Sequence, residues 1–222
     1  MDCVRGNLLK LYHKMNSIQL EKLLRRKAVS FDIFDTLVVR KCGKPYNLFD
    51  IVERKFNKEH NTSSVHFKNI RIESEIEARK KKKTGEISLQ DIYDIASERW
   101  GIENSSVLME LEKETEMEQC TANKEIVDIY HKLITNIDVY IVSDMYFKYE
   151  FIIKILESCK IELPKKLYVS AEYNASKRDR KLFRFLLEEN GIHPHNITHI
   201  GDNFRSDYIN PKLLGMHSIW IK

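Results

Sequence analysis

The sequence predicts an α/β protein whose core is a parallel sheet covered by helices on both faces. From residue 138 onward, short β-rich apolar runs alternate with helical segments, an order that is typical of a parallel sheet. Glycine and proline punctuate the connections. The chain has 222 residues, which suits one domain or a core with an inserted subdomain, and its 42% hydrophobic content is sufficient for a buried core.

The individual elements follow from the residue patterns. Residues 1–27 are expected to be helical, because leucines and isoleucines form two clusters and Arg25, Arg26 and Lys27 place cations at the end. This segment is either a helix packed on the core or part of a linker to a neighbouring domain, and the sequence leaves both open. The first strand and its exit loop are expected over 28–39. Later strands are expected over 139–142, 166–169, 197–200 and 218–221, with helices over 149–159 and 181–190 and a short turn over 211–214 between them.

A helical insertion separates the first strand from the rest of the sheet. Strand signals are nearly absent there, and helices are expected over 46–56, 67–81, 89–100 and 107–133. Ser88 followed by Asp91 has the spacing of a capping box, which marks the start of the third helix. We therefore expect residues 28–42 and 134–222 to form the core and residues 43–133 to form a helical unit.

Composition and charge exclude several classes of protein. The formal net charge of +4 is too small to argue for nucleic-acid binding, and the basic run over 79–83 is interpreted as a solvated helix end. No apolar run approaches membrane-spanning length and the N-terminus lacks a signal-peptide core, so we expect a cytoplasmic protein without membrane insertion. The cysteines have no metal-ligand spacing and are expected to be reduced thiols: Cys3, Cys42, Cys120 and Cys159.

Four polar motifs follow predicted strands in a definite order. Asp32 comes directly after the apolar residues of the first strand, and a buried carboxylate is costly unless something pairs with it or uses it. Ser143 ends the second strand, Lys177 lies in the loop before a helix, and Asp202 and Asp207 follow a later strand. Because ligands bind at the carboxyl ends of strands in open α/β sheets, these side chains form the candidate site.

The order of strand-end Asp, strand-end Ser, loop Lys and Gly-Asp-x-x-x-x-Asp resembles that of the haloacid dehalogenase (HAD) superfamily, over residues 28–222. The resemblance implies a Rossmann-like core with a helical cap of the C1 type inserted after the first motif. It also implies that Asp32 attacks phosphorus and forms an aspartyl-phosphate. Ser143 would then donate its hydroxyl to a phosphate oxygen, and Lys177 would neutralise Asp32 and the transferred group.

The same resemblance implies a Mg²⁺ cofactor. A hard cation of this kind usually binds one or two carboxylates together with substrate oxygens and water. The expected ligands are the carboxylates of Asp32 and Asp202 and the main-chain carbonyl of Phe34. Asp207 is the fourth residue of the expected metal site, behind Asp202, where it would orient a metal-bound water or the lysine.

The first motif departs from the usual HAD phosphatase pattern at Phe34, where the general acid for the leaving group normally stands. Asp35 comes one residue later and is not expected on the same face, because residues two apart share a face. Haloacid dehalogenases also carry an aromatic residue there, but they lack the Gly-Asp-x-x-x-x-Asp loop that this chain keeps, so a metal-dependent phosphoryl reaction is favoured. Either the leaving group is a good one, such as a phosphate or acyl group, or Asp35, Asp144 or Glu75 supplies the proton.

A narrower resemblance rests on the stretches 31–40 (FDIFDTLVVR), 143–146 (SDMY) and 201–207 (GDNFRSD). They look like those of bacterial predicted HAD hydrolases that occur beside, or fused to, glycosyltransferases in surface-polysaccharide gene clusters. This resemblance implies a phosphorylated sugar, polyol or polymer precursor as substrate and a glycosyltransferase as partner. The expected substrate-binding residues are Thr36, Asp144, Arg71, Glu75 and Arg79.

Three of these residues share one helix face, because Arg71, Glu75 and Arg79 are spaced i, i+4 and i+8. The two arginines either clamp a phosphate or carboxylate of the substrate or belong to an exposed salt-bridged surface. The sequence leaves both interpretations open.

Three functions follow from these observations. The first is a cytoplasmic Mg²⁺-dependent phosphatase or phosphotransferase for a small phosphorylated metabolite, with Asp32 as nucleophile and the helical cap closing over the site. The second is a weakly active or non-catalytic phosphate-binding module that partners a glycosyltransferase, which Phe34 and residues 1–27 favour. The third is cleavage of a C–P or C–halogen bond, for which Schiff-base chemistry would need a cap lysine facing Asp32.

Overall fold

The structure is a computed structural model that describes residues 18–61, 66–82 and 85–221. Its strands, in chain order, are β1 (Ala28–Phe31), β2 (Val38–Arg40), β3 (Cys120–Ala122), β4 (Asp138–Ser143), β5 (Lys166–Val169), β6 (Ile197–Gly201) and β7 (His217–Trp220). Five of them form one parallel sheet in the order β5-β4-β1-β6-β7. This sheet and the helices around it confirm the predicted α/β class.

The helices, in chain order, are α1 (Ile18–Leu24), α2 (Pro45–Glu59), α3 (Phe67–Lys81), α4 (Leu89–Trp100), α5 (Ile102–Gln119), α6 (Lys124–Ile134), α7 (Tyr149–Ser158), α8 (Ser170–Tyr173), α9 (Lys181–Glu189) and α10 (Asn210–Leu213), with a 3-10 turn at Pro194–Asn196 and a π-helical turn at Phe204–Ile209. Two of the expected helices, over 67–81 and 89–100, have the predicted bounds. The capping box is confirmed, because the Ser88 side chain accepts from the Asp91 amide and the Asp91 side chain accepts from the Ser88 amide.

Both faces of the sheet are buried, because alternate residues of its strands pack into apolar clusters on opposite sides. β1 is the central strand, and all four of its residues are fully buried. Phe31 and Ile141 pack in one apolar cluster with α6 and α7, whereas Ala28 and Tyr140 pack in another with Leu186 of α9. This period of two places the strand ends, and the polar residues that follow them, at one edge of a rigid sheet.

The prediction of a single helix over 107–133 is wrong. The chain instead forms α5, strand β3 and α6, and β3 pairs antiparallel with β2 so that Arg40 lies opposite Cys120. The Lys41 amide donates to the Gln119 carbonyl at 2.8 Å and extends this pairing. A three-residue strand is too short to disturb the apolar periodicity of the helices on either side, so the pattern does not reveal it. Helices α2–α5 therefore leave and rejoin the core through a two-stranded ribbon.

The helix after the ribbon packs against the sheet. The Tyr130 ring of α6 lies edge-on to Phe31 with 5.3 Å between the ring centroids, and the Tyr130 hydroxyl donates to the Glu162 carbonyl at 2.7 Å. Helices α2–α5 pack on one another instead. The last part of the predicted helical insertion thus lies against the sheet and supports the end of β1 that carries Asp32.

The N-terminal segment is described in part. Residues 1–17 of the expected helical segment lie outside the described residues, as does Cys3. Within the described part, α1 buries Leu23, and Arg26 donates from Nη1 to the His195 carbonyl at 3.1 Å. These contacts hold the end of α1 against the core.

The described part of the chain contains three of the four cysteines. Cys42, Cys120 and Cys159 are free thiols in the structure. Among the helices of the described ranges, none combines the length and the apolar character that crossing a membrane requires.

Candidate active site

The carboxyl ends of β1, β4 and β6 meet at one cleft of about 520 Å³. Asp32 follows β1, Ser143 ends β4, and Asp202 follows β6, and all three line this cleft with Lys177. The Asp32 amide donates to the Ile200 carbonyl at 2.9 Å, so the parallel ladder continues one residue beyond β1 and fixes the position of the carboxylate. The parallel strand order places the ends of β4, β1 and β6 side by side and so brings Asp32 and Asp202, 170 residues apart, to one cleft, as expected for ligand sites in parallel sheets.

Lys177 lies between two buried carboxylates. Its Nζ is 2.5 Å from Oδ1 of Asp32 and 2.7 Å from Oδ1 of Asp207, and its side chain is 3% exposed. The main chain of this loop is anchored as well, because the Lys177 amide donates to Oδ1 of Asp144 at 2.7 Å and Asn210 Nδ2 donates to the Lys177 carbonyl at 3.0 Å. The ammonium group is therefore held in place before any substrate binds.

Asp207 reaches the site because the π-helical turn brings it against Gly201 at the end of β6. A Cβ on Gly201 would lie 2.5 Å from Cγ of Asp207, so only glycine allows this approach. Oδ2 of Asp207 accepts from the Asn203 amide at 2.9 Å. Burial acts to raise the pKa of Asp207, but Lys177 and His199 outweigh burial and hold this pKa below its usual range.

A buried polar chain behind Asp207 was not identified from the sequence. Ser30 of β1 and His199 of β6 are register partners, and Ser30 Oγ lies 2.8 Å from His199 Nδ1. His199 Nε2 lies 3.2 Å from Oδ1 of Asp207. Burial lowers the pKa of His199, and a neutral ring that donates from Nε2 to Asp207 would accept from the Ser30 hydroxyl at Nδ1. The sequence signal for this chain is the presence of Ser30 and His199 within two largely apolar strands.

The site concentrates negative charge. The carboxylates of Asp32, Asp202 and Asp207 offer oxygens that all lie within 4.8 Å of one another, and Lys177 is the cation among them. Burial raises the pKa of Asp32 to about 8, against the lowering effect of Lys177, and Asp207 adds to the increase. Burial and Asp207 also raise the pKa of Asp202. An additional hard cation would relieve this repulsion, and carboxylate oxygens suit Mg²⁺.

The three carboxylates are not equivalent as candidate ligands. Both oxygens of Asp207 are engaged, Oδ1 by Lys177 and His199 and Oδ2 by the Asn203 amide. Asp32 contacts Lys177 through Oδ1, and both Asp32 and Asp202 line the cleft. The donor set therefore fits a divalent cation on Asp32 and Asp202, with Asp207 positioned to orient Lys177 from behind.

The other residues expected to bind substrate divide into two groups. Asp144 and Glu75 line the cleft. Thr36 is fully buried and is not part of the cleft wall, and its carbonyl accepts from Asn123 Nδ2 at 2.9 Å. Asp35 lies at the cleft in the left-handed conformation, with φ of 56°. Asp35 and Asp32 therefore line the same cleft, although Asp35 stands in a turn after the end of β1.

Arg71 and Arg79 do not reach the cleft wall. The fully buried Arg71 donates from Nε and Nη2 to the two carboxylate oxygens of Glu112 at 2.7 and 2.9 Å. Its Nη1 donates to Glu75 at 3.0 Å, and the more exposed Arg79 donates to the same carboxylate at 2.8 Å. The three residues do share a helix face, and Glu75 is the one that this face presents to the site.

Arg40 lines the cleft, although the sequence identifies it only as the last residue of the stretch 31–40. It ends β2, lines the cleft, and donates from Nε to Oε1 of Glu116 at 2.7 Å. Its Cζ lies 4.3 Å from the centroid of the Phe34 ring, within the range of a cation–π contact. The site therefore carries a second cation beside Lys177, placed against the aromatic ring two residues after Asp32.

No protein-family model matches the sequence, and no curated protein matches it. Solved structures do match. The magnesium-bound HAD-hydrolase YfnB from Bacillus subtilis is 16% identical, with a TM-score of 0.61 over 89% of each chain. The L-2-haloacid dehalogenase from Xanthobacter autotrophicus is 12% identical, with a TM-score of 0.61 over 88% of this chain and 77% of that one.

A third similar structure is the defluorinating L-2-haloacid dehalogenase Rha0230, which is 13% identical with a TM-score of 0.64 over 88% of this chain and 80% of that one. At such identities the likeness concerns architecture. With its parallel five-stranded sheet and surrounding helices, the chain has the α/β fold of HAD-superfamily hydrolases.

Proposed function

We propose that this protein is a Mg²⁺-dependent phosphohydrolase of the HAD type that acts through an aspartyl-phosphate on Asp32. The observation that carries the proposal is the position of Lys177, whose Nζ lies within 2.7 Å of both Asp32 and Asp207. Ser143 and Asp202 complete the cleft wall around Asp32. A nucleophilic carboxylate, a fixed ammonium and a second carboxylate for a cation are the parts that phosphoryl transfer requires.

The reaction begins with a carboxylate oxygen of Asp32. This oxygen attacks the phosphorus of a bound phosphate ester while the bond from phosphorus to the leaving oxygen breaks and the electron pair stays on that oxygen. Lys177 and the Ser143 hydroxyl bind the phosphoryl oxygens as charge develops on them. Water then attacks the phosphorus of the aspartyl-phosphate, which releases phosphate and restores the Asp32 carboxylate.

Asp32 and Asp202 would hold the Mg²⁺, with the Phe34 main-chain carbonyl as the further expected ligand. Bound there, the cation supplies positive charge that offsets the charge on the phosphoryl oxygens. Asp207 keeps Lys177 aligned, because its Oδ1 contacts the lysine and His199 together. The proton for the leaving oxygen has three candidate sources in the cleft wall, which are Asp35, Glu75 and Asp144.

The substrate we propose is a small phosphorylated metabolite such as a sugar or polyol phosphate of surface-polysaccharide synthesis. A cleft of about 520 Å³ matches the size of sites for small ligands. Its wall also includes the carboxylates of Glu75 and Asp144 and the rings of Tyr46 and Tyr146. Carboxylate oxygens accept from sugar hydroxyls, and tyrosines offer both a ring and a hydroxyl. The free thiols support a reducing, cytoplasmic setting, and a glycosyltransferase is the proposed partner.

Dehalogenation is the second candidate function. The observation in its favour is Phe34, which gives the cleft an aromatic wall and no proton donor beside Asp32. Asp32 would then attack carbon and displace a halide. Schiff-base cleavage of a C–P bond has less support, since Lys177 is the lysine that lines the cleft in the described part of the chain and it belongs to the core.

The deciding experiment measures phosphate release from a panel of sugar phosphates, polyol phosphates and an aryl phosphate, with Mg²⁺ and with EDTA. Chloride release from 2-chloropropionate is followed in parallel. We expect metal-dependent phosphate release by the wild type and none by Asp32→Asn, with Asp138→Asn at the opposite end of the sheet as the matched control. Chloride release without phosphate release would replace the proposal with dehalogenation. Phosphate binding without turnover would favour the non-catalytic module.

A further inference from the structure

The second cation of the cleft has no assigned task in the phosphohydrolase scheme. The Arg40 side chain is 3% exposed, yet it lines the same cleft as Asp32. Its Nε is bonded to Glu116, whereas its two Nη atoms have no acceptor in the described part of the chain. A guanidinium held on one edge and open on the other is a preorganised anion-binding group.

Three contacts fix where this guanidinium stands. The Phe34 ring packs against the guanidinium, with 4.3 Å between Arg40 Cζ and the ring centroid. Glu116 holds Nε at 2.7 Å, and the pairing of Arg40 with Cys120 in the β2–β3 ribbon fixes its main chain. Because Asp32, Phe34 and Arg40 all line this cleft, the cation and the proposed nucleophile face the same space, with the Phe34 ring against the cation.

The chemistry beside the nucleophile is therefore that of charge and not of proton transfer. Phe34 has no proton to donate, and an arginine keeps its proton at any working pH. Glu116 further raises the pKa of Arg40 against the effect of burial. Among the other carboxyls of the cleft, burial acts to raise the pKa of Glu75 but Arg71 and Arg79 outweigh it and lower this pKa, whereas burial raises the pKa of Asp144. A leaving group that needs a proton receives none from Phe34 or Arg40, whereas one that departs as an anion meets the fixed positive charge of Arg40.

We infer that Arg40 is a specificity-determining residue that binds an anionic leaving group, so that the preferred substrate is an acyl phosphate or a phosphoanhydride. This inference rests on the proposed aspartyl-phosphate chemistry at Asp32, and it replaces the sugar or polyol phosphate ester of that proposal with a substrate whose leaving group departs as an anion. The Asp32 carboxylate attacks phosphorus, the P–O bond breaks, and the leaving carboxylate or phosphate keeps the electron pair and requires no proton. Water then cleaves the aspartyl-phosphate and provides the protons that phosphate carries away.

A purely structural role for Arg40 makes a different prediction. Arg40 and Glu116 also join the β2–β3 ribbon to α5, so loss of the arginine leaves a buried carboxylate unpaired. The double variant Arg40→Met/Glu116→Gln removes the cation without that unpaired charge. Arg54→Met, on the exposed face of α2, is the matched control for loss of an arginine.

The experiment has a turnover arm and a binding arm, both with Mg²⁺ in excess. Turnover compares kcat/KM for acetyl phosphate and pyrophosphate with that for glycerol phosphate, whose alkoxide leaving group needs a proton. Binding compares phosphonoacetate, which carries a second anion, with methylphosphonate, which does not. We expect the wild type to prefer acetyl phosphate or pyrophosphate and phosphonoacetate, and the double variant to reduce each preference by about ten- to a hundredfold. The two anionic substrates distinguish a carboxylate from a phosphate leaving group.

The outcomes separate this inference from the proposed function. Phosphate release with no preference for the anionic leaving groups, or with a preference that the double variant retains, would overturn the inference and leave the phosphohydrolase proposal intact. An Arg40-dependent preference for phosphonoacetate without any turnover would support the anion site and overturn the phosphohydrolase proposal. An equal loss on all substrates and ligands would assign Arg40 a structural role only.

Discussion

A Cβ at position 201 would stand 2.5 Å from Cγ of Asp207, so the absence of a side chain on Gly201 sets the position of the innermost carboxylate of the site. Asp207 in turn holds Lys177 at 2.7 Å, and Lys177 holds Asp32 at 2.5 Å. The arrangement around Asp32 therefore depends on a residue that has no side chain.

Gly201→Ala tests this dependence. The added methyl group must displace Asp207, and overpacking of this kind typically reduces stability by about 1–3 kcal/mol. Because Asp207 would no longer align Lys177, we expect phosphate release to fall by about a hundredfold or more. Activity and urea unfolding of the same preparations provide the measurement. A folded variant with wild-type activity would show that the position of Asp207 is not needed.

The His199–Asp207 hydrogen bond gives a second prediction. His199→Leu removes a buried donor from Asp207 and leaves the Ser30 hydroxyl without its partner, so stability should fall by about 1–3 kcal/mol. His199→Gln keeps an N–H that can reach Asp207 and should recover part of that loss. Urea unfolding of both variants is the measurement. Equal stability of the two variants would mean that packing against Phe183, and not the hydrogen bond, is the contribution of His199.

The sequence predicted the fold and the residues that the sheet edge brings together, because both depend on local patterns. Asp32, Ser143 and Asp202 each follow an apolar strand, and parallel strands place such residues side by side. Their chemical roles stay predictions. The sequence did not predict β3, since a three-residue strand leaves no periodic signal of its own.

Partners that come from distant parts of the chain were also not predicted. The spacing of Arg71 and Glu75 reveals their i, i+4 pairing, but Glu112, which takes two donors of Arg71, lies 41 residues away on another helix. Arg40 and Glu116 are separated by 76 residues and meet through the ribbon. Charge pairs of this kind follow from tertiary packing, and one sequence carries no local pattern for them.

The pKa of Asp32 leads to a prediction about pH. Burial raises this pKa to about 8, from 3.8 for the unperturbed carboxyl. Between these values the folded state binds more protons than the unfolded state, so this carboxyl lowers stability increasingly as the pH rises. Asp32→Asn removes that contribution. Its stability relative to wild type in EDTA should therefore be greater at about pH 8.5 than at about pH 5.

Urea unfolding of wild type and Asp32→Asn at both pH values provides the check, with Asp138→Asn as the control. Asp138 forms an exposed ion pair with Lys165, and its removal should change stability little at either pH. A difference between Asp32→Asn and wild type that stays constant, or shrinks, as the pH rises would contradict the assignment of a raised pKa to Asp32.

The buried pair of Arg71 and Glu112 gives the last prediction. Both side chains are fully buried, and Tyr93 donates to the same carboxylate at 2.7 Å. Loss of one partner leaves an uncompensated charge, so Arg71→Met should lower the free energy of unfolding by about 3–5 kcal/mol. Arg71→Met/Glu112→Gln should recover much of this loss, because neither charge is then left alone. Arg79→Met, whose side chain is 52% exposed, should cost less than about 1 kcal/mol. Similar losses in Arg71→Met and in the double variant would show that the shape of Arg71, packed against Phe49 and Tyr146, outweighs its charge.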